Sequence, residues 1–484
     1  MSMVSADTLV ARLNGIACIR GHRLEVTDPA RFRTEVLDDL VFDAVFHPDS
    51  DLRDAARWII WSASQALGCG SASIHELYMA RGRGEFEPTR FTVPAINVRA
   101  TAYLTARQVF AAALERDVGA VIFEIAKSEM AYTDQRPAEY TAVILAAAMR
   151  EGWRGPVFLQ GDHFQFNAKK WPEDPQAEMD GIKALSREAV EAGFLNIDID
   201  SSTLVDLSQP TVPEQQRVNA ANTAELTRFI RGLQPAGVTI SIGGEIGEVG
   251  KANSTEEELR AYLDAYLARL EGSGLAGVSK VSIQTGTSHG GVPLPDGTIA
   301  QVKIDFDTLR RLSTVARQEY GLAGCVQHGA STLPDDAFHH FPANGTAEVH
   351  LATGFQNILY DRGGLPDELR AEMMEWCRAN CADERKAGET EEQFLYKTRK
   401  KALGPFKRQL WTLPEEGRQR IGANLRAQFG LLFDELGVRG TRELVDRYVT
   451  PPDLPRPRPA ALGGDAVEAI TADASVFADD PSGE

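Results

Sequence analysis

The sequence predicts a (β/α)8 barrel with added helical segments, on three observations. Eight short β-rich runs alternate with amphipathic helical stretches between residues 89 and 364. Reactive residue types fall directly after those runs, where a barrel of this kind carries its active site. No glycine-rich dinucleotide turn follows the first run, which sets aside the open doubly wound sheet, the main competing α/β architecture.

The runs, in order, are Phe91–Val98, Ala120–Ile125, Pro156–Gln160, Phe194–Ile199, Gly237–Gly243, Ser279–Gln284, Gly324–Gln327 and Ala347–Leu351. Each is short, apolar and rich in β-branched or aromatic residues, as fits strands buried on both faces. Between them lie helix-periodic segments such as TARQVFAAALERD, EMDGIKALSREAVEAG, TEEELRAYLDAYLARLEG and DFDTLRRLSTVARQEYG. Residues 1–88 read as a helical N-terminal extension, with DLRDAARWIIWSASQALG as its clearest helix, and residues 365–450 as a helical C-terminal extension. Residues 451–484 read as a proline-rich linker followed by an acidic disordered tail, because PPDLPRPRP cannot continue a helix and the end is nearly free of aromatics.

Charge and composition narrow the function. A formal net charge of −18 over 484 residues argues against a nucleic-acid partner, which needs a basic face. No apolar run approaches the roughly 20 residues that span a bilayer, so no membrane partner is expected. The first 25 residues interleave Asp7, Arg12, Arg20 and Arg23 with short apolar pieces, unlike a secretory signal, which points to the cytoplasm. Five cysteines, an odd number, fit a reducing compartment; Cys377 and Cys381, one helical turn apart, read as packing residues.

The chemistry gathers at the strand ends. The third strand runs into Asp162 and His163, and the fourth ends at Asp198 and Asp200. Glu245 follows the fifth, with Glu248 beyond it, and His289 and Gly290 follow the sixth. His328, Gly329 and Ser331 follow the seventh, and the eighth carries His350 and Thr353. Of nine histidines in the chain, four fall on this one rim. Three imidazoles from separate strands (His163, His289, His328) can hold a zinc-like divalent ion and leave a position open for substrate. Asp162, beside a ligand, suits either proton transfer on a substrate hydroxyl or the orienting of a histidine. Asp200 and Glu245 offer a second metal position. The glycine-containing loops with Gly290, Gly329, Ser331 and Thr353 lie where barrels bind phosphate through backbone N–H groups.

These motifs resemble the class II, metal-dependent ketose-bisphosphate aldolases over about residues 90–360. FTVPAINV is similar to the family's first strand, with Asn97 toward substrate, and QGDHF to its Asp-His pair. IDSS is similar to Ile-Asp-x-Ser, GGEIGEVG to Glu-x-Gly-x-x-Gly, and GTSHGG and QHGAS to two histidine–glycine motifs. HLATGFQN resembles the closing strand. The resemblance implies a lyase that cleaves a ketose phosphate reversibly through a metal-stabilised enediolate. It implies Zn2+ or another divalent ion on His163, His289 and His328, with Asp200 and Glu245 at the second position. Asp162 would move the hydroxyl proton, and Gly290, Gly329 and Ser331 would face the phosphate.

Several positions depart from the family pattern. Pro293 stands where a phosphate-holding lysine is usual, at the start of the inserted stretch VPLPDGTIAQV. Ala126, with Lys127 beside it, replaces a serine, and His350 replaces an asparagine at a position expected to face substrate. The loop carrying the second acid/base glutamate is shortened to KANST, which leaves Glu248 for that role. Glu256 to Glu258 read as a helix's first turn, capped by Ser254 or Thr255. Two alternatives stay open: a metal-dependent sugar-phosphate epimerase or isomerase, and a non-catalytic aldolase-like subunit, whose Gly-Asp-His-x-x-x-Asn pattern QGDHFQFN also resembles. A homo-oligomer is expected, built with help from the helical extensions.

Overall fold

The computed structural model describes residues 5–247, 252–286, 304–465 and 471–477. Eight parallel strands close into a barrel: β1 (Val93–Asn97), β2 (Ile122–Ala126), β3 (Val157–Gln165), β4 (Asn196–Asp200), β5 (Ser241–Glu245), β6 (Lys280–Ile283), β7 (Cys325–Gln327) and β8 (Glu348–Leu351). Each pairs with its sequence neighbours, β8 returns to β1, and the expected (β/α)8 architecture is present. Helices between the strands cover the outside, among them Ala102–Glu115, Pro175–Ala192, Glu256–Leu270 and Phe306–Tyr320. Thr255 caps the third of these, exchanging hydrogen bonds with Glu258.

Two irregularities shape the barrel around β3. At its start, Val157 and Phe158 pair with a two-residue strand, Ser71–Ala72, in the space below β4, whose pairing with β3 begins only at Gln160↔Asn196. At its end the register slips, with Gly161 opposite Ile197 but Phe164 opposite Ile199. Asp162 and His163 occupy that bulge, and His163 takes a left-handed backbone with φ of 41°. A bulge is a common way to re-aim a side chain at a barrel rim. Gly161 is required there: a Cβ would lie 2.4 Å from the ring of Phe164.

The N-terminal segment is not helical throughout. Between its helices, Ala17–Arg20 and Arg23–Val26 form an antiparallel hairpin. The alternation of buried Leu24 with exposed Arg23 and Glu25 is the period-two pattern of a one-faced strand. Helix His75–Gly82 then runs beneath the barrel. Its buried Arg81 donates to the carbonyls of Phe91 (2.8 Å) and Thr346 (2.8 Å), tying it to the chain entering β1 and β8.

Helix Glu415–Glu435 packs on Ala102–Glu115, where Gly422 faces Leu104 and Gln108. Thr441, wholly buried, accepts from the N–H groups of Gly119 (3.0 Å) and Ala120 (3.2 Å) and donates to the Val438 carbonyl. Thr441→Val keeps the shape and removes all three bonds. Its urea midpoint should fall by an amount equivalent to about 1–3 kcal/mol, the usual cost of stranding buried donors; an unchanged midpoint would show that the C-terminal helices are not coupled to the barrel through this residue.

Over 451–484, read from sequence as linker and disordered tail, the described residues lie on the protein. Trp58 and Trp61 donate their indole N–H groups to the carbonyls of Arg456 (3.1 Å) and Leu454 (2.8 Å), and the Arg456 guanidinium sits 3.3 Å from the Trp61 ring centre. Further on, Ala472 bonds to Glu188 and Arg136, and Phe477 lies under the Arg136 guanidinium. The prolines do prevent a helix. Their extended backbone leaves carbonyls for the two indoles, and the cation–aromatic contacts hold the segment down. All five cysteines are free thiols. Cys377 is buried against the Thr398 carbonyl, as a packing residue would be.

Candidate active site

The bulge carries His163 to the mouth of the barrel, where its Nδ1 lies 3.3 Å from Asp200 Oδ2 and 3.4 Å from Glu245 Oε2. Asp200 ends β4 and Glu245 ends β5. The ring of His328, just after β7, meets His163 edge-on with centroids 4.3 Å apart at 86°. One ligand atom from each of His163, Glu245 and His328 falls within 4.8 Å of the others. Two imidazole nitrogens and a carboxylate at that spacing fit a zinc-like divalent ion. Asp200 is held beside them by Ser202, which donates both its N–H (3.0 Å) and its hydroxyl (2.6 Å), and by Gln165 (2.6 Å).

Asp162 is fully buried beside this group. Its Oδ1 lies 3.1 Å from His350 Nδ1, while Oδ2 has no hydrogen-bond partner among the described residues. A buried carboxylate oxygen without a partner is costly unless something else occupies its front. His350, expected to face substrate, has carboxylates at both ring nitrogens: Asp162 and Glu124 at Nδ1, and Glu348 at Nε2, 2.7 Å away. Its ring stacks on His328, centroids 4.2 Å apart.

Below lies a charged layer that no strand-end reading reveals. Lys280 of β6 donates to Gln160 (2.9 Å), Asp198 (2.9 Å) and Glu348. Gln160 donates to Glu124 (3.0 Å) and Glu348 (2.9 Å), and Tyr78, from the helix beneath the barrel, donates to Glu348. The sequence did carry a signal for this layer: single polar residues inside otherwise apolar runs, as in AVIFEI, SKVSIQ and AEVHL. A strand covered by helices outside can place such a residue only inward.

Electrostatics follow from this crowding. Burial alone would lower the pKa of His163, but Asp162, Glu245 and Asp200 outweigh it and raise it well above the usual histidine range. His350 behaves likewise, with Glu124, Asp162 and Glu348 opposing burial. Burial would raise Asp200, yet the bonds from His163 and Ser202 hold it below the usual carboxylate value. Burial pushes Asp198 up to about 6 despite Lys280, whereas Lys280 itself is held up by Asp198 and Glu348 against its own desolvation.

Of the other residues singled out from the sequence, Asn97 ends β1 opposite Glu124, buried, with neither amide atom bonded among the described residues. Thr353 lies 3.3 Å from an Arg99 guanidinium nitrogen, and Arg99 is also paired with Glu129. The Ser331 hydroxyl accepts from the Ala352 N–H at 2.6 Å, and Gly329 takes a left-handed backbone, φ 67°. Lys127, beside Ala126, donates to the Gln165 carbonyl at 2.6 Å. His289, Gly290, Glu248 and Pro293 lie outside the described residues. No described helix is long and apolar enough to cross a membrane.

A family model described as fructose-bisphosphate aldolase class-II matches residues 85–408. No curated protein matches the chain in sequence. Among solved structures, a fructuronate–tagaturonate epimerase from Cohnella laeviribosi is 11% identical with a TM-score of 0.53, covering 89% of this chain and 99% of its own. A probable tagatose 6 phosphate kinase from Sinorhizobium meliloti 1021 is 19% identical with a TM-score of 0.50, covering 80% and 99%. The fructose-bisphosphate aldolase of Campylobacter jejuni is 16% identical with a TM-score of 0.45, covering 77% and 97%. At these identities the first two likenesses speak to fold alone.

Proposed function

The chain belongs to the class-II fructose-bisphosphate aldolase family, and on that premise we propose a metal-dependent aldolase that cleaves a ketose phosphate reversibly. The observation that carries the reading is the meeting of His163, His328 and Glu245 within 4.8 Å, beside a buried Asp162 oxygen that has no partner among the described residues. His163, His328 and, by the family resemblance, His289 would hold a divalent ion such as zinc, with Asp200 and Glu245 forming a second position. When bound, the ion supplies positive charge beside the ketone oxygen, where negative charge gathers as the carbon–carbon bond breaks.

The chain's own residues supply the rest. Asp162 takes the proton of the hydroxyl at the cleaved bond through Oδ2 and returns it in the reverse reaction. Glu248 is the second acid/base group of this reading. Gly329, Ser331 and Thr353, with Gly290 by the family resemblance, would face the phosphate, and Asn97 would face the sugar. The reading includes a homo-oligomer in the cytoplasm acting on a soluble sugar phosphate.

The test is release of triose phosphate from a panel of ketose phosphates, with bound metal measured by elemental analysis. Triose release with stoichiometric metal supports the aldolase. Interconversion of epimers without triose release assigns an epimerase instead, and neither metal nor turnover assigns a non-catalytic subunit. His163→Ala and His328→Ala should each lose metal and activity together. Full metal content in either variant would remove that residue from the ligand set.

A further inference from the structure

Resting on the aldolase reading, we infer that His350 is a positioning residue that selects which oxygen of Asp162 meets the substrate, and that Tyr78 of the N-terminal segment anchors it through Glu348. The contacts form one chain from the barrel floor to its mouth. Tyr78 donates to Glu348 Oε2, Glu348 Oε1 lies 2.7 Å from His350 Nε2, and His350 Nδ1 lies 3.1 Å from Asp162 Oδ1. All four residues are buried: Tyr78 1%, Glu348 0%, His350 1% and Asp162 0% exposed.

The physical need is rotational. An aspartate carboxylate turns in a broad, nearly two-fold well, so its two oxygens are interchangeable until a neighbour distinguishes them. Engaging Oδ1 leaves Oδ2 as the oxygen without a partner among the described residues. The imidazole that does this is itself immobilised. Nε2 is held by Glu348, Nδ1 also lies 3.2 Å from Glu124, and the ring face lies against His328 at 24°. Glu348 is fixed in turn by Gln160 and Lys280 as well as by Tyr78. Tyr78 belongs to helix His75–Gly82, which Arg81 ties to β1 and β8. The segment before the barrel therefore supports the orientation of a group at its opposite end, and holding such a group in its reactive orientation raises kcat more than it changes binding.

The experiment compares His350→Leu, His350→Asn and Tyr78→Phe with the unmodified chain, using whichever of fructose 1,6-bisphosphate and tagatose 1,6-bisphosphate it cleaves faster. His350→Leu should lower kcat by about 10²-fold, with KM within about threefold and metal content unchanged. His350→Asn, whose amide can still donate to Asp162, should recover at least about tenfold of that loss. Tyr78→Phe, which removes one hydroxyl and keeps the packing, should lower kcat by roughly three- to tenfold. His350→Leu combined with Asp162→Asn should be little slower than Asp162→Asn alone, because residues acting as one unit are not additive. Equal rates for Leu and Asn at 350, an additive double variant, or unchanged kcat in Tyr78→Phe would each overturn the inference. Should neither sugar, nor any other ketose phosphate of the panel, be cleaved, the aldolase reading fails on its own. Crystals of His350→Leu then still decide the positioning role: a rotated Asp162 carboxylate supports it, and an unmoved one overturns it.

Discussion

Asp162→Asn should bind its full complement of metal and yet turn over about 10²–10⁴ times more slowly, the span by which a positioned acid/base group accelerates proton transfer. The substitution preserves volume, and the amide oxygen can still meet the His350 ring now 3.1 Å from Oδ1. What disappears is an oxygen able to take a proton where Oδ2 now stands. Because the neighbouring His163 keeps its other contacts with Asp200 and Glu245, metal content separates this loss from damage to the ligands. Steady-state rates, read beside elemental analysis, decide it: near-normal turnover would leave Asp162 with an orienting role only.

The second large effect is on stability. Lys280→Met replaces a buried ammonium, bonded to Gln160, Asp198 and Glu348, with an apolar chain of similar length. The carboxylates of Glu124, Asp198 and Glu348 would then share the barrel interior with no lysine among them. Removing one partner of a buried ion pair costs about 3–5 kcal/mol, most of it from the charge left behind. The shift should appear in the urea midpoint. Adding Glu348→Gln to Lys280→Met should recover part of the loss, since it removes a charge that the first change stranded. A Lys280→Met midpoint within about 1 kcal/mol of the unmodified chain would mean that the layer is neutralised in some other way.

The two variants probe layers that differed in how readable they were. The rim was legible because it depends on position along the chain. Asp162, His163, Asp200, Glu245 and His328 each stand at the end of an apolar run, and a strand's end stays its end however the barrel closes. The layer below was not read, although Glu124, Lys280 and Glu348 interrupt apolar strands in plain sight. Each has a plausible solitary explanation, and only closure shows that they share one interior. The hairpin at Ala17–Val26 and the docking of residues 451–465 were missed for a different reason. Short strands and proline-rich stretches draw their stability from distant partners, here the barrel-flanking helices and the indoles of Trp58 and Trp61.

The amino-acid order by itself determined eight strand–helix units and the strand-end positions of Asp162, His163, Asp200, Glu245 and His328, because hydrophobic periodicity and strand length are local properties. Only the tertiary structure decided which of those residues meet. The stagger of the closed sheet and the bulge at Asp162-His163 set the depth and direction of every side chain. That stagger belongs to the pairing of strands separated by whole helices and to the return of β8 onto β1, which no local pattern encodes. It turned Asp162 toward His350 and brought Tyr78, from before the barrel, beneath the same site.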